Sequence, residues 1–407
     1  MSKAEIIRTD GKFQLVVDGH PFFIKGAGLE FGDIAALARE GGNAFRTWRV
    51  ENGEKTGLQV LDEAHANGLK VMMGIEVARE RHGFDYNDKT AVRDQMVRIK
   101  REIYQLKDHP ALIIWCIGNE LNLHANNQKV WDAVNELSKM IHAIDPYHLT
   151  TTALAGFDKN TVSCIKDRSP DLDFLSVQLY GELEKLPALL RVSGWEGPFL
   201  VSEWGATGYW EVPKTSWGAP IEDNSSEKAR AFMSRYENGI EPVTTNCIGS
   251  FVFLWGQKQE RTSTWFGMHT LEGRKTEVVD VMRKIWTGKW SGAKCPKVKE
   301  IHIGGKYAKD DVELSINRKY VATAVIEDAG NIDELEFKWE LRKESKSTAS
   351  GGDFEEVPPQ IALENAVVTK NELQFYAPKE RGEYRLYVYI NDRDEYTAHA
   401  NIPTKVI

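Results

Sequence analysis

The segment Asp108-His-Pro-Ala-Leu-Ile-Ile-Trp-Cys-Ile-Gly-Asn-Glu120 contains an apolar run of strand length that ends in a polar pair. A run too apolar to be exposed is typical of a buried strand in a parallel sheet. It is well short of the roughly 18 residues that would cross a membrane. The segment therefore predicts a buried strand that ends at Asn119 and is followed directly by the carboxylate of Glu120.

Further runs of this kind occur between Pro21 and about Trp286, and segments with helical period alternate with them. This alternation is typical of parallel βα units, and eight such units close a barrel of about this length. We therefore predict an α/β fold, a (β/α)8 TIM barrel, with an open doubly wound sheet as the alternative. The strands are predicted at Phe22–Gly28, Asn43–Arg49, Leu69–Glu76, Ala111–Asn119, His148–Leu154, Asp173–Tyr180, Pro198–Glu203 and Cys247–Trp255. The predicted helices include Asp33–Glu40, Gly57–Asn67, Asp88–Lys107, Asn126–Ile144, Ser226–Gly239 and Thr276–Trp286, several of them with Asp, Asn or Ser as a cap.

The segments on either side of this region have strand patterns of their own. Between Arg8 and His20, two Asp-Gly pairs flank alternating apolar residues and predict a small hairpin that closes the floor of the barrel. After Trp286 no long helical segment follows, and strand-like runs recur at Val298–Ile303, Val312–Ile316, Tyr320–Ile326, Leu335–Arg342, Glu372–Tyr376, Tyr384–Ile390 and Tyr396–Ile402. Short strands with turn signals between them are typical of a β-sandwich, and Gly382-Glu-Tyr384 resembles a tyrosine corner. We predict a barrel domain at residues 1–290 and a C-terminal immunoglobulin-like β-sandwich domain at residues 291–407.

The charge balance and the apolar runs exclude some partners. The chain has 52 Lys and Arg residues against 60 Asp and Glu residues, which gives a net charge of −8. That sign is wrong for a protein that binds phosphate backbones through its overall field, so we expect no nucleic acid partner. We also expect no membrane partner, because no apolar run has the length of a bilayer span. The oligomeric state stays open.

The first residues and the cysteines give weaker expectations. The chain does not begin with the basic, apolar and small-residue regions of a secretion signal. We therefore expect a cytoplasmic protein, unless a leader has been removed, in which case it is periplasmic or secreted. The cysteines, Cys116, Cys164, Cys247 and Cys295, form no CxxC pair, and we expect buried thiols, although a disulfide between any two stays open. Zinc, calcium and dinucleotide motifs are not found in the sequence, so we expect no metal and no cofactor.

Polar residues at the predicted strand ends are the candidates for chemistry, because reacting groups in such barrels lie at the C-terminal ends of the strands. These candidates are Glu30, Arg46, Arg49, Glu76, Asn119, Glu120, Tyr180, Glu203 and Trp255. Glu120 and Glu203 each follow a strongly apolar strand, the fourth and the seventh. Two carboxyl groups facing each other across one cleft are what the cleavage of a glycosidic bond needs, one as a proton donor and one ionised.

Three segments that carry these candidate residues resemble segments of known enzymes. The segment Asp108–Glu120 resembles the acid/base segment of the clan A glycoside hydrolases, above all the family 2 β-galactosidases and β-glucuronidases. Phe199-Leu-Val-Ser-Glu203-Trp-Gly resembles their nucleophile segment, and Gly42-Asn-Ala-Phe-Arg46-Thr resembles their second strand. The resemblance covers roughly residues 12–286. It implies that Glu120 is the acid/base, that Glu203 is the nucleophile and that Asn119 is a partner of a substrate 2-hydroxyl, while Tyr180 and Arg46 steady the nucleophile.

The sequence also departs from that family. Family 2 enzymes carry β-sandwich domains ahead of the barrel, whereas here the barrel starts almost at once. The galactosidases continue the second strand with Ser-His-Tyr, whereas this chain has Trp48-Arg49-Val50, so their sugar specificity does not transfer. Family 5 of the same clan lacks the leading sandwiches and is the near alternative, but its Asn-Glu pair is usually followed by Pro, where this chain has Leu121.

The function expected from these residues is that of a retaining β-glycoside hydrolase acting on an oligosaccharide or polysaccharide. We expect the two carboxyl groups to stand about 5–5.5 Å apart, the retaining spacing. Sugar faces pack on aromatic rings, so Trp255 and Trp204 are candidate contacts, and His82 is a candidate partner of a hydroxyl. A transglycosylase of the same mechanism and a non-catalytic carbohydrate-binding barrel are the alternatives.

Overall fold

A computed structural model describes residues 1–51, 54–292, 295–327 and 329–407 of the chain. The chain begins with an antiparallel sheet of β1 (Ala4–Thr9), β2 (Lys12–Val17) and β3 (His20–Pro21). Asp10 and Gly11 turn between the first two strands with φ of 51° and 81°. Positive φ at both central residues is the geometry that favours Asp-Gly in a two-residue hairpin, so the predicted hairpin is confirmed.

The middle of the chain forms a closed barrel of eight parallel strands, each hydrogen-bonded to the next barrel strand along the chain, with the last pairing back to the first. This confirms the predicted TIM barrel and excludes the open sheet. The strands are β4 (Ile24–Gly28), β5 (Ala44–Arg46), β6 (Lys70–Ile75), β7 (Leu112–Asn119), β8 (Leu149–Ala155), β9 (Leu175–Gln178), β10 (Phe199–Gly205) and β11 (Cys247–Phe253). Every residue of β7 is buried, because the strand faces the barrel interior on one side and helices on the other.

The described residues contain eight α-helices, six of which correspond to helices predicted from the sequence. They are α1 (Ile34–Arg39), α2 (Gly57–Ala66), α3 (Lys89–Leu106), α4 (Lys129–Ile144), α5 (Lys159–Arg168), α6 (Leu186–Ser193), α7 (Ser225–Arg235) and α8 (Glu277–Thr287). The Asp33 and Asp88 side chains accept hydrogen bonds from the first turns of α1 and α3, as expected of N-caps. The helix predicted at Ser226–Gly239 is instead α7 followed by a π-helical turn at Tyr236–Ile240. Short 3₁₀ segments are Glu80–His82, Gly181–Lys185, Glu241–Val243, Ala308–Asp310 and Ala329–Glu334.

Two sheets follow α8 and form the predicted β-sandwich. One has the order β12-β14-β18-β17 and the other the order β13-β20-β19-β15-β16, and a shared apolar core includes Trp339, Phe375 and Leu386. The Tyr384 hydroxyl donates to the carbonyl oxygen of Glu380 at 2.9 Å, the bond of a tyrosine corner. The strands are β12 (Val298–Ile303), β13 (Glu313–Leu314), β14 (Lys319–Ile326), β15 (Glu336–Lys343), β16 (Gln360–Ile361), β17 (Val367–Thr369), β18 (Glu372–Tyr376), β19 (Gly382–Asn391) and β20 (Thr397–Val406).

By packing, the chain divides into two compact units. The barrel unit comprises residues 1–205 and 234–255, and the sandwich unit comprises residues 206–233 and 256–407. In the barrel unit, Leu15 and Val17 of the hairpin share one apolar core with Ile24, Ile113 and Leu200, so the hairpin closes the floor of the barrel as expected. The domain boundary expected after residue 290 stays a prediction.

Two further expectations can be compared with the described residues. All four cysteines are free thiols, so the open question of a disulfide is answered. Burial raises the pKa of the Cys247 thiol to about 11, and this side chain is inert in the interior of the barrel unit. Among the described residues, no helix is both long and apolar enough to span a bilayer.

Candidate active site

The mouth of the barrel brings together side chains from the carboxyl ends of β5, β7, β9 and β10. Arg46 ends β5, Asn119 ends β7, Tyr180 follows β9 by two residues, and Glu203 lies within β10. In a parallel barrel all of these ends lie on the same rim, so residues far apart in sequence can meet there. Hydrogen bonds join the four side chains, as described below.

Glu203 lies at the centre of this arrangement, with only 5% of its surface exposed. Its Oε1 accepts hydrogen bonds from Arg46 Nη1 at 3.2 Å and from Trp48 Nε1 at 2.7 Å. Its Oε2 accepts one from the Tyr180 hydroxyl at 2.8 Å. Three donors that point at one carboxylate, one of them cationic, fix its position and orientation.

Arg46 connects Glu203 to Asn119 and is itself fully buried. Its Nη1 also donates to the carbonyl oxygen of Ser202 at 3.2 Å, and its Nη2 donates to Asn119 Oδ1 at 2.8 Å. Gln178 Nε2 donates to the same Asn119 oxygen at 2.7 Å. Since both donors take the oxygen, the orientation of the Asn119 amide is fixed, and within the described part of the chain its Nδ2 makes no hydrogen bond. The free Nδ2 is therefore able to donate to a ligand.

Glu120 is held through its backbone. Its φ of 50° is in the left-handed region, which a non-glycine residue adopts at a cost of about 1–3 kcal/mol. Its N–H donates to the carbonyl oxygen of Ala153 at 2.8 Å, and its carbonyl oxygen accepts from Leu123 N–H at 3.0 Å and from Arg81 Nη1 at 3.2 Å. The side chain is half-buried. An unfavourable backbone angle that several contacts maintain is typical of functional positions.

The other residues predicted to contact a substrate differ from one another in burial and in their partners. Glu30 forms an ion pair with Arg49. Trp204 and Trp255 have 0% and 1% of their surface exposed, and Trp255 Nε1 donates to the carbonyl oxygen of Asp33 at 3.0 Å. His82 is exposed on the loop after β6. Their part in binding a substrate stays a prediction.

Two residues of this arrangement were missed by the sequence reasoning. Trp48 donates directly to Glu203, and the Arg46 guanidinium lies over its ring at 5.2 Å. Gln178 fixes Asn119. Each stands two residues from a predicted site residue, but the contact that it makes crosses between strands, which spacing along one strand does not show.

The described residues offer no obvious place for a metal. Nowhere in the described ranges do three or more His, Cys, Asp or Glu side chains group closely enough to hold a metal ion. The chemistry that the arrangement supports directly is that of carboxyl groups: donors hold Glu203 in place, and Glu120 follows β7, the third strand from β10 around the barrel.

Comparison with known proteins identifies the kind of barrel. Residues 31–210 match the family model described as "Glycosyl hydrolases family 2, TIM barrel domain". This part of the barrel is similar to the TIM barrel domain of glycoside hydrolase family 2. The resemblance to the family 2 barrel of clan A drawn from the sequence is thereby confirmed, and the matched part of the chain runs from before β5 to beyond β10.

Solved structures similar to this chain include three enzymes of related activity. The β-glucuronidase 2 of Bacteroides uniformis, covalently bound to cyclophellitol-6-carboxylate aziridine, has 14% identity and a TM-score of 0.54, and the match covers 99% of this chain and 48% of that one. The β-galacturonidase of Eisenbergiella tayi bound to galacturonate has 18% identity and a TM-score of 0.54, with 70% and 54% covered. The β-glucuronidase of Bifidobacterium dentium complexed with coumarin-3-O-glucuronide has 17% identity and a TM-score of 0.55, with 70% and 49% covered. At these identities the likeness shows the fold alone, and the chain spans about half the length of these structures.

Proposed function

We propose that this protein is a retaining β-glycoside hydrolase in which Glu203 is the nucleophile and Glu120 is the acid/base. The observation that carries the proposal is the set of three donors on the buried Glu203 carboxylate: Arg46, Trp48 and Tyr180. A carboxylate held in place by three donors, at the mouth of a barrel similar to that of family 2, is suited to attack a sugar.

In the first step, Glu120 gives its proton to the glycosidic oxygen while Glu203 attacks the anomeric carbon. The bond to the leaving group breaks, the leaving group departs as an alcohol, and an ester bond forms between Glu203 and the sugar. Oε1 already accepts two hydrogen bonds, whereas Oε2 accepts one, from Tyr180. Oε2 is therefore the oxygen that attacks, and the Tyr180 hydroxyl is placed to follow the charge as it leaves the carboxylate.

In the second step, the Glu120 carboxylate takes a proton from water, and the hydroxide formed attacks the anomeric carbon. The ester bond breaks, the sugar leaves with its original configuration, and Glu203 is again ionised. We expect the two carboxyl groups to be about 5–5.5 Å apart. An inverting pair stands farther apart to hold a water molecule, and the shorter spacing leaves no room for one. The amide of Asn119, fixed by Arg46 and Gln178, donates from Nδ2 to the sugar 2-hydroxyl.

The remaining predicted residues take supporting parts in the proposal. Glu30 and His82 contact hydroxyl groups of an oligosaccharide or polysaccharide, and Trp204 and Trp255 form the apolar base of the sugar site. Residues 1–290 are the catalytic domain, and residues 291–407 are an accessory domain. Because similar solved structures are β-glucuronidases and a β-galacturonidase, β-uronides belong beside neutral β-glycosides among the compounds to be tested.

The test measures hydrolysis of 4-nitrophenyl β-glycosides: glucoside, galactoside, mannoside, glucuronide and galacturonide. We expect turnover of at least one and a fall in kcat/KM of about 10⁴-fold in Glu203→Gln, since a nucleophile is removed. Glu63→Gln, which changes a surface carboxylate on α2, is the matched control and keeps the wild-type rate. A 2-deoxy-2-fluoro glycoside of the active sugar should leave a covalent adduct on Glu203, detectable by peptide mass spectrometry.

The two alternatives, a transglycosylase and a non-catalytic barrel, predict other results in these experiments. A transglycosylase gives the same adduct but releases mainly transfer products in the presence of an acceptor sugar. A non-catalytic barrel gives equal background rates for the wild type and Glu203→Gln, and that outcome, or an adduct on another residue, would overturn the proposal.

A further inference from the structure

An open cleft of about 370 Å³ lies on the loop that follows β6. Its lining comes from one stretch of chain, Glu76, Val77, Ala78, Arg79, His82, Gly83 and Phe84. The volume is within the roughly 300–1,000 Å³ of sites for small molecules. We call residues 76–84 the cleft loop.

The cleft loop is joined to the segment that carries Glu120. Arg79 Nε donates to the carbonyl oxygen of Asn119 at 3.3 Å, and Arg81 Nη1 donates to that of Glu120 at 3.2 Å. In the other direction, Glu80 Oε2 accepts from the backbone N–H groups of residues 126 and 127 at 2.8 and 2.9 Å. The wall of the cleft and the backbone of the proposed proton donor thus form one connected piece.

The cleft loop is also supported from behind, so it is formed before any ligand arrives. Ala78 N–H donates to Gln95 Oε1 of α3 at 2.7 Å, and the Tyr86 hydroxyl donates to the Ala78 carbonyl oxygen. The Phe84 ring packs edge-to-face on Tyr86 with ring centres 4.8 Å apart. A site that is already ordered loses little conformational entropy when it binds.

The chemistry of the lining fits a neutral sugar. Glu76 offers carboxylate oxygens that accept hydrogen bonds, Arg79 and His82 offer donors, and Phe84 offers an aromatic ring on which the C–H face of a pyranose can pack. The negative charge of Glu76 and the positive charge of Arg79 balance each other. These lining residues therefore carry no net positive charge that would select an acidic sugar.

We propose that the cleft is the subsite for the leaving group and that it binds a neutral pyranose. The preferred substrates are accordingly oligosaccharides or polysaccharides rather than glycosides of small alcohols. This inference rests on the proposed function, because it takes Glu120 as the group that protonates the leaving oxygen. The cleft loop contacts the backbone of Asn119 and Glu120, so the cleft lies beside Glu120. A sugar bound in the cleft is therefore attached to the glycosidic oxygen that receives the proton.

The experiment compares two substrates that share the sugar cleaved and differ in the leaving group. One is the glycosyl fluoride, whose leaving group is too small to fill the cleft, and the other is a disaccharide with a neutral second sugar. For Phe84→Ala we expect the ratio of kcat/KM, disaccharide over fluoride, to fall about tenfold, the effect of losing one aromatic contact. Glu76→Gln, an exposed side chain whose change does not threaten folding, should lower the ratio in the same direction. Tyr104→Ala removes an exposed aromatic ring from α3 and is the matched control, with an unchanged ratio.

Transfer gives a second readout. With the fluoride as donor, glucose, xylose and glucuronic acid are offered as acceptors, and we expect transfer to the neutral sugars to weaken in both cleft variants. Unchanged ratios in both variants would overturn the assignment of the cleft, and a preference for glucuronic acid would overturn the neutral class. Failure of the proposed function has a different signature, since the fluoride itself would then not be turned over or would label a residue other than Glu203.

Discussion

Two buried carboxylates, one in each unit, have similar donors and different surroundings. In the barrel unit, Glu203 accepts from a guanidinium, an indole and a phenol. In the sandwich unit, Glu222 accepts from the Lys228 ammonium at 2.5 Å, and from the Thr262 hydroxyl and the Asn401 amide at 2.6 Å each. The side chain of Glu203 keeps 6% exposure at the end of a barrel strand, whereas that of Glu222 has 0%.

The comparison teaches that the number of donors does not distinguish the carboxylate proposed to react from a structural one. Burial alone would raise the pKa of Glu222, but the charge of Lys228 and the hydrogen bonds from Lys228 and Thr262 outweigh it and lower the pKa to about 2. Lys228 also donates to the Thr264 carbonyl oxygen, so the pair joins several segments of the sandwich unit. What differs at Glu203 is its place on a barrel strand at the rim where Arg46, Asn119 and Tyr180 meet, rather than the number of its donors.

The largest expected effects come from the same substitution at the two positions. Glu203→Gln should remove activity, as argued above, and it also leaves the fully buried Arg46 without its ion-pair partner, so its free energy of unfolding should fall as well. Glu222→Gln leaves the buried Lys228 charge without a counter-ion and should lower the free energy of unfolding by about 3 kcal/mol. Denaturant unfolding and kcat/KM of both variants check this. A Glu222→Gln protein that is fully stable but inactive would reverse the comparison.

The stability effect at Glu222 should depend on pH in a defined direction. The folded-state pKa of about 2 lies below the ordinary value of 4.5. The ionised form therefore contributes stability that is fully present above about pH 4.5 and is lost as the pH falls through about 2. The difference in unfolding free energy between the wild type and Glu222→Gln should shrink over that window, and a difference that stays constant down to pH 2 would contradict the ion pair as its cause.

A smaller change should follow from removing one donor of Glu203. Trp48→Phe deletes the indole N–H that donates to Oε1 and keeps a ring in the place that faces Phe253 edge-on at 5.7 Å. Because that bond orients the carboxylate whose Oε2 is proposed to attack, we expect kcat to fall about 10²-fold with little change in KM. Trp195→Phe is the matched control, because it removes an indole N–H that donates only to the Pro198 carbonyl oxygen, at 3.0 Å. Equal kcat values for the two variants would show that Trp48 does not act on the nucleophile.

The strands of the barrel were predictable from sequence, since burial on both faces leaves continuous apolar runs such as Leu112–Ile117. The elements that were missed lack this signal. Helix α5 buries only Val162 and Ile165, and every residue of β17 is exposed, so neither has a strong period. The sequence identified Glu120 and Glu203 because each ends or interrupts an apolar run.

The partners within the site were harder to predict. The indole of Trp48 reaches β10 from the end of β5, and Gln178 reaches Asn119 from β9 to β7. These contacts depend on the stagger of strands around the barrel, which periodicity along one strand does not encode. The left-handed backbone of Glu120 likewise follows from bonds to Ala153 and Arg81, which only the folded chain brings near.

The smallest expected effect is one on stability. It comes from two partly exposed aspartates that have no part in the proposed reaction. Asp171 and Asp173 contact His142 Nδ1 and Nε2 at 2.9 and 3.0 Å, and all three side chains are about a third exposed. The hydrogen bond with Asp173, followed by the charges of both aspartates, raises the pKa of His142 above its ordinary value of 6.5. The protonated form therefore adds stability that is fully present below about pH 6.5 and is lost as the pH rises through the higher folded-state pKa. Solvent screening should limit this contribution to less than about 1 kcal/mol. Melting temperatures of the wild type and His142→Asn, measured from pH 5.5 to 9, should converge at the alkaline end, and parallel curves would mean that His142 does not titrate against the two aspartates.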